Sequence, residues 1–149
     1  MQRKRFEKDS CGVARALDAV GEWWTLLIVR EALFGARQFD EFQRRLGISR
    51  NALTARLKRL VALGVLERAP IAEGGRRQGY RLTAAGRDLS SVMIALRLWG
   101  DTHMRPEASP SRLVDADDGM PIAGLQAVTA QGRVVPAGRV MLRAKAPAA

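Results

Sequence analysis

The chain has 149 residues, 47% of them hydrophobic, and a formal net charge of +10. That length suits one domain or one domain with a short appendage. No apolar run approaches the ~20 residues that span a bilayer, no signal-peptide apolar core follows the basic Met1–Arg5, and one cysteine cannot form an internal disulfide. A soluble, cytoplasmic protein is expected. The charge is uneven: residues 1–105 hold 20 Lys and Arg against 11 Asp and Glu, while residues 106–149 hold 5 against 4. A polyanion is the expected partner of the first part. An anionic membrane surface fits the charge, but no long basic amphipathic helix carries it.

A charged arm, Met1 to Lys8, precedes a helix that starts near Cys11, with Asp9 or Ser10 as its cap and Val13, Leu17 and Val20 as its apolar stripe. The second helix, Glu22 to Phe34, is apolar over most of its circumference and belongs at the centre of the core. Its adjacent tryptophans point in different directions, so one faces the core and Trp23 or Trp24 is left to cover a partner subunit. Phe39, Phe42 and Leu46 give a short amphipathic helix, and Gly47 and Ser49 supply the turn and the next N-cap. From Arg50 onward, Leu53, Leu57 and Leu60 form an apolar face. Asn51, Thr54, Ala55 and Lys58 form the opposite one. Two helices joined by a tight Gly-containing turn, the second with a small, polar, basic outer face, describe a helix-turn-helix.

Val65–Arg68 and Gly79–Leu82 read as strands around the loop Ala72–Gln78, which carries Arg76 and Arg77: a β-wing. Thr83 caps a long helix from Ala84 to about Met104. Leu89, Val92, Leu96 and Trp99 lie on one of its faces and Ile94 and Leu98 on another. One small domain cannot bury both, so a homodimer through these helices, assisted by the N-terminal helix, is expected. Residues 106–112 read as a Pro/Ser linker. Within 113–149, Leu113–Ile122 and Ala127–Pro136 echo one another as two short hairpins, and Ala144 to Ala149 reads as frayed. The expected architecture is mainly α: a winged helix-turn-helix domain over 1–105, dimerising through its N- and C-terminal helices, with a β-hairpin tail.

The charge pattern points to double-stranded DNA. Between Gln43 and Gly64 there is no acid, while Arg44, Arg45, Arg50, Arg56, Lys58 and Arg59 are cationic. Asn51 suits an adenine edge, Arg50 and Lys58 guanine or phosphate, and Thr54 and Ala55 a thymine methyl. Arg44, Arg45 and Arg59 suit phosphates. Arg56 suits a role inside the fold, and Arg76 and Arg77 wing contacts. Cys11, at a helix N-terminus near Arg3, Lys4, Arg5 and Lys8, is either an activated thiol or a small buried hydrophobe. With one cysteine and one histidine, His103, there is no metal-ligand cluster, no catalytic set and no cofactor motif. The rival readings are a binder without sequence preference, whether architectural or RNA-binding, and a protein–protein adaptor. The basic face shows none of the aromatic residues that RNA-binding modules stack on bases.

Several stretches resemble the HxlR-type transcriptional regulators, which are similar to the MarR winged-helix regulators: Cys11–Leu17, Gly21–Glu31, Gly35–Phe42, Gly47–Leu53, Tyr80–Thr83 and Leu98–Asp101. The resemblance covers roughly Phe6 to Met104. It implies a dimeric DNA-binding protein controlling transcription, often as a repressor, with the helix Arg50–Leu63 in the major groove and the wing at or near the minor groove. It also implies a response to an electrophile, oxidant or small metabolite, with a cysteine at the place of Cys11 as the sensor in several members. Two departures stand out. Gly12 replaces the family's proline, and Gly74-Gly75-Arg76-Arg77 replaces a wing with prolines before a single arginine.

Overall fold

The computed structural model describes residues 6–104 and 111–143. Arg3, Lys4 and Arg5, the linker residues 106–110 and the stretch 144–149, expected to fray, lie outside the described residues. The chain divides into two compact units, Met1–Met93 and Ile94–Ala149.

In the first unit the order is α1 (Gly12–Val20), α2 (Trp23–Leu33), α3 (Phe39–Leu46), α4 (Arg50–Ala62), β1 (Leu66–Pro70), β2 (Gln78–Leu82) and α5 (Ala84–Asp88). The core is built from the apolar stripes. Ile28 and Val29 of α2, Phe42 of α3, and Leu53, Leu57 and Leu60 of α4 are fully buried, and Leu66 and Tyr80 close it from the hairpin. Burying one such side chain gains ~1.5–3 kcal/mol over leaving it exposed, so the three leucines alone hold α4 firmly with its opposite face outward.

Local chemistry sets the turn between α3 and α4. Gly47 sits at φ 64, the left-handed conformation a side chain resists, and its N–H donates to the Gln43 carbonyl. The Ser49 hydroxyl then accepts the Ala52 N–H at 3.3 Å. At the start of α3 the Glu41 carboxylate accepts the N–H groups of both Arg37 and Gln38, each at 2.9 Å. β1 and β2 pair antiparallel, from Leu66 opposite Leu82 to Pro70 opposite Gln78. Tyr80 N–H donates to the Arg37 carbonyl at 2.8 Å, tying the hairpin to the α2–α3 connection.

Three local expectations are corrected. The strands run Leu66–Pro70 and Gln78–Leu82 rather than Val65–Arg68 and Gly79–Leu82: Val65 falls outside, while toward the loop the second gains Gln78 and the first gains Ala69 and Pro70. A proline is tolerated there because a two-stranded hairpin has only edges. Neither Asp9 nor Ser10 caps α1: Cys11 is its N-cap, and the Asp9 carboxylate accepts the N–H of Cys11 itself at 2.8 Å. The long helix from Ala84 to Met104 is two helices, α5 and α6 (Ser90–His103). Thr83 caps α5, and Gly86 lies so close to β1 that a Cβ would stand 2.1 Å from the Val65 carbonyl. Leu89 N–H reaches back only to Gly86, tightening the turn, and the serine pair Ser90-Ser91 follows.

In the second unit, Arg97 of α6 pairs with Asp101 and donates to the Ser111 carbonyl. The two tail segments both turn at a glycine, through hydrogen bonds of different span. Gly119 N–H donates to the Asp115 carbonyl and Gly132 N–H to the Thr129 carbonyl, both at 2.9 Å. The second segment forms a hairpin, β3 (Ala127–Val128) with β4 (Val134–Val135), whereas the first makes one bridge, Val114 to Pro121. Two aspartates explain the shortfall: Asp115 and Asp118 bind the N–H groups of Asp117 and Met120, which turns the segment before more strand can pair.

Candidate nucleic-acid interface

Burial of Leu53, Leu57 and Leu60 fixes what α4 shows to its surroundings. Asn51, Thr54, Ala55 and Lys58 are all exposed on the opposite side. The Thr54 hydroxyl donates to the Arg50 carbonyl at 2.8 Å, which leaves its methyl for an apolar contact. The Arg50 guanidinium lies 5.1 Å from the Phe39 ring centroid, stacked at the helix start.

The six cations of the acid-free stretch do not all stay free, because other elements bring acids to them in space. Arg56 is engaged within the fold, as its placement in the sequence suggested: its Nε is 2.8 Å from Glu22, which also accepts the Thr25 N–H and caps α2. Arg45 stands 3.6 Å from Glu31, a buried acid on α2 that also pairs with Arg30. Arg59 donates to the Asp18 carbonyl of α1 at 2.8 Å. Arg44, Lys58, Arg76 and Arg77 are exposed, and among the described residues they form no ion pair or side-chain hydrogen bond. The cationic face is therefore narrower than the sequence implies, and it centres on α4 and the wing.

One nearby residue escaped the sequence reading. Arg68 registers there only as part of a strand. It pairs across the hairpin with Tyr80, and its guanidinium stands 4.7 Å from the Tyr80 ring centroid. A cavity of about 330 Å³ opens there, lined by Thr54, Lys58 and Val61 of α4 and by Arg68 and Tyr80 of the hairpin. A cross-strand partner outside local spacing is the only signal that marks it.

Cys11 is exposed, which removes the buried alternative for it. Of the tryptophans, Trp24 packs on the core and Trp23 is 66% exposed. Val92, Leu96 and Trp99 form an exposed row on α6, while Ile94 and Leu98 are half-buried. Val13 and Leu17 are likewise exposed on α1. Among the described residues no acid, histidine and cysteine cluster can hold a metal, and no helix is long and apolar enough to cross a membrane.

The HxlR-like helix-turn-helix family pattern matches residues 19–108. An uncharacterized HTH-type transcriptional regulator of Mycobacterium tuberculosis, MT3179, is 51% identical over 110 residues, 73% of this chain and 68% of that protein. The crystal structure of PA1607, named a putative transcription factor, superposes with a TM-score of 0.84 at 40% identity, over 95% of this chain and all of that one. The redox regulator HypR in its oxidized form superposes with a TM-score of 0.55 at 29% identity, over 62% of this chain and 97% of its own. A helix-turn-helix with an outward polar helix, followed by a two-stranded wing, agrees with these likenesses: the chain belongs to the HxlR-like helix-turn-helix family, whose members are transcriptional regulators rather than enzymes.

Proposed function

We propose that the protein is a cytoplasmic, sequence-specific double-stranded DNA-binding regulator, a repressor that acts as a homodimer on a palindromic operator. The observation that carries this reading is the outer face of α4. Asn51, Thr54, Ala55 and Lys58 are exposed together on a helix whose other face is locked into the core. Asn51 serves an adenine, Thr54 and Ala55 a thymine methyl, and Arg50 and Lys58 guanine or phosphate. Arg44, Arg45, Arg59, Arg76 and Arg77 serve the backbone, with Arg45 and Arg59 also held by their partners in the fold. Trp23, Val92, Ile94, Leu96, Leu98 and Trp99, with help from the N-terminal helix, supply the dimer contact in this reading. A symmetric dimer presents two α4 helices to half-sites about 34 Å apart.

The effector reading rests on Cys11, an exposed thiol at the N-cap of α1. HypR is named a redox regulator, and this chain is similar to it. Selection on random duplex DNA tests the main reading: enrichment of a palindromic sequence supports it, and equal affinity for all duplexes refutes it. Peroxide treatment of wild type and Cys11→Ser tests the effector, and the same DNA-binding response in both rejects Cys11 as the sensor.

A further inference from the structure

We propose that the cavity between α4 and the hairpin is the seat of one DNA phosphodiester, held by Arg68 together with Lys58. The inference deepens the DNA-binding reading and rests on it. Its geometry follows from the fold. If α4 occupies a major groove while the loop joining β1 to β2 reaches the neighbouring minor groove, the backbone strand dividing the two grooves passes between helix and hairpin. That is where the cavity lies.

Val61 and the Tyr80 ring make much of the lining apolar; Lys58 and Arg68 supply charge from opposite walls, and no acid lines the space. Arg68 is free to serve. The one acid beside it in β1, Glu67, is taken by Arg81, with contacts of 2.7 and 2.9 Å. Arg68 itself makes no ion pair among the described residues. It is also pre-positioned. The Tyr80 ring beneath it is buried and meets Phe42 edge-on at 6.3 Å, so the platform cannot swing away. A guanidinium held on a fixed ring loses less freedom on binding than a loose surface cation.

A phosphate contact adds affinity without choosing sequence, and it releases a counterion. The test measures binding of the full chain to its selected operator and to a scrambled duplex, from 50 to 200 mM salt, for wild type, Arg68→Gln and Arg68→Lys. Thermal melts verify that each variant is folded. Arg68→Gln is expected to weaken both duplexes by the same factor and to flatten the salt slope by about one unit. Over that fourfold salt range wild type then loses about 3.5-fold more affinity than the variant. Arg68→Lys keeps the slope. A methylphosphonate at the contacted position removes the difference between wild type and Arg68→Gln. An unchanged slope in Arg68→Gln, or a loss confined to the operator, overturns the proposal while DNA binding stands. Wild-type binding with no salt dependence overturns the DNA-binding reading itself.

Discussion

Glu22 joins α2 to α4, and replacing it has a calculable effect. One carboxylate oxygen accepts the N–H and the hydroxyl of Thr25, at 3.1 and 3.2 Å, and stands 2.8 Å from Arg56 Nε on α4. Glu22→Ala removes the α2 cap, which costs ~1 kcal/mol. It also strands Arg56. Breaking a fully buried ion pair costs ~3–5 kcal/mol and an exposed one ~0–1 kcal/mol. The side chains here are 34% and 17% exposed, so an intermediate cost of about 2 kcal/mol is appropriate, and about 3 kcal/mol in all. Glu22→Gln keeps an acceptor for Thr25 and loses the charge, so about 1–2 kcal/mol is expected. Urea unfolding at one fixed protein concentration measures both. A loss below about 0.5 kcal/mol for Glu22→Ala, or equal losses for the two variants, refutes the partition between cap and ion pair.

Other residues give shorter tests. Leu57→Ala empties a fully buried site under α4 and is expected to cost ~2–5 kcal/mol in urea unfolding; a cost below 1 kcal/mol would show that α4 is held elsewhere. The backbone N–H groups of Arg37 and Gln38, with Arg45 and Arg44 behind them, hold the Glu41 carboxyl below its ordinary range. Its stabilisation is therefore present above the ordinary glutamate pKa and is lost as pH falls through the lowered folded value. Glu41→Gln should destabilise the protein at neutral pH and flatten the acid limb of the stability–pH curve below about pH 4.3, and an identical limb in the variant would contradict this. Arg77→Ala should weaken all duplexes alike and lower the salt slope by about one unit; a loss at the operator alone would mean the wing reads bases.

What the sequence made legible is what short-range chemistry decides. The α3–turn–α4 unit follows from Gly47, Ser49 and the leucine spacing, and the structure places each where that chemistry requires. The face of α4 opposite those leucines is exposed for the same reason. What escaped depends on partners distant in the chain. Glu31 and Glu22 neutralise Arg45 and Arg56 across helix contacts, so counting charges along one stretch overstates the free cations. Arg68 and Tyr80 meet only through strand register. The break at Leu89 arises because Gly86 must lie against Val65, a contact that no helical periodicity encodes. In the tail the repeated turn was visible, while the aspartate side chains that curtail its first hairpin compete with pairing in a way that spacing does not reveal.

Whether the exposed face of α4 reads base pairs is measured by the ratio of affinities for operator and scrambled duplex, at one salt concentration, in wild type and Asn51→Ala. Base reading by Asn51 gives a loss of ~1–3 kcal/mol at the operator and none at the scrambled duplex, so that the ratio falls. An unchanged ratio, or a wild-type ratio of one, would contradict it.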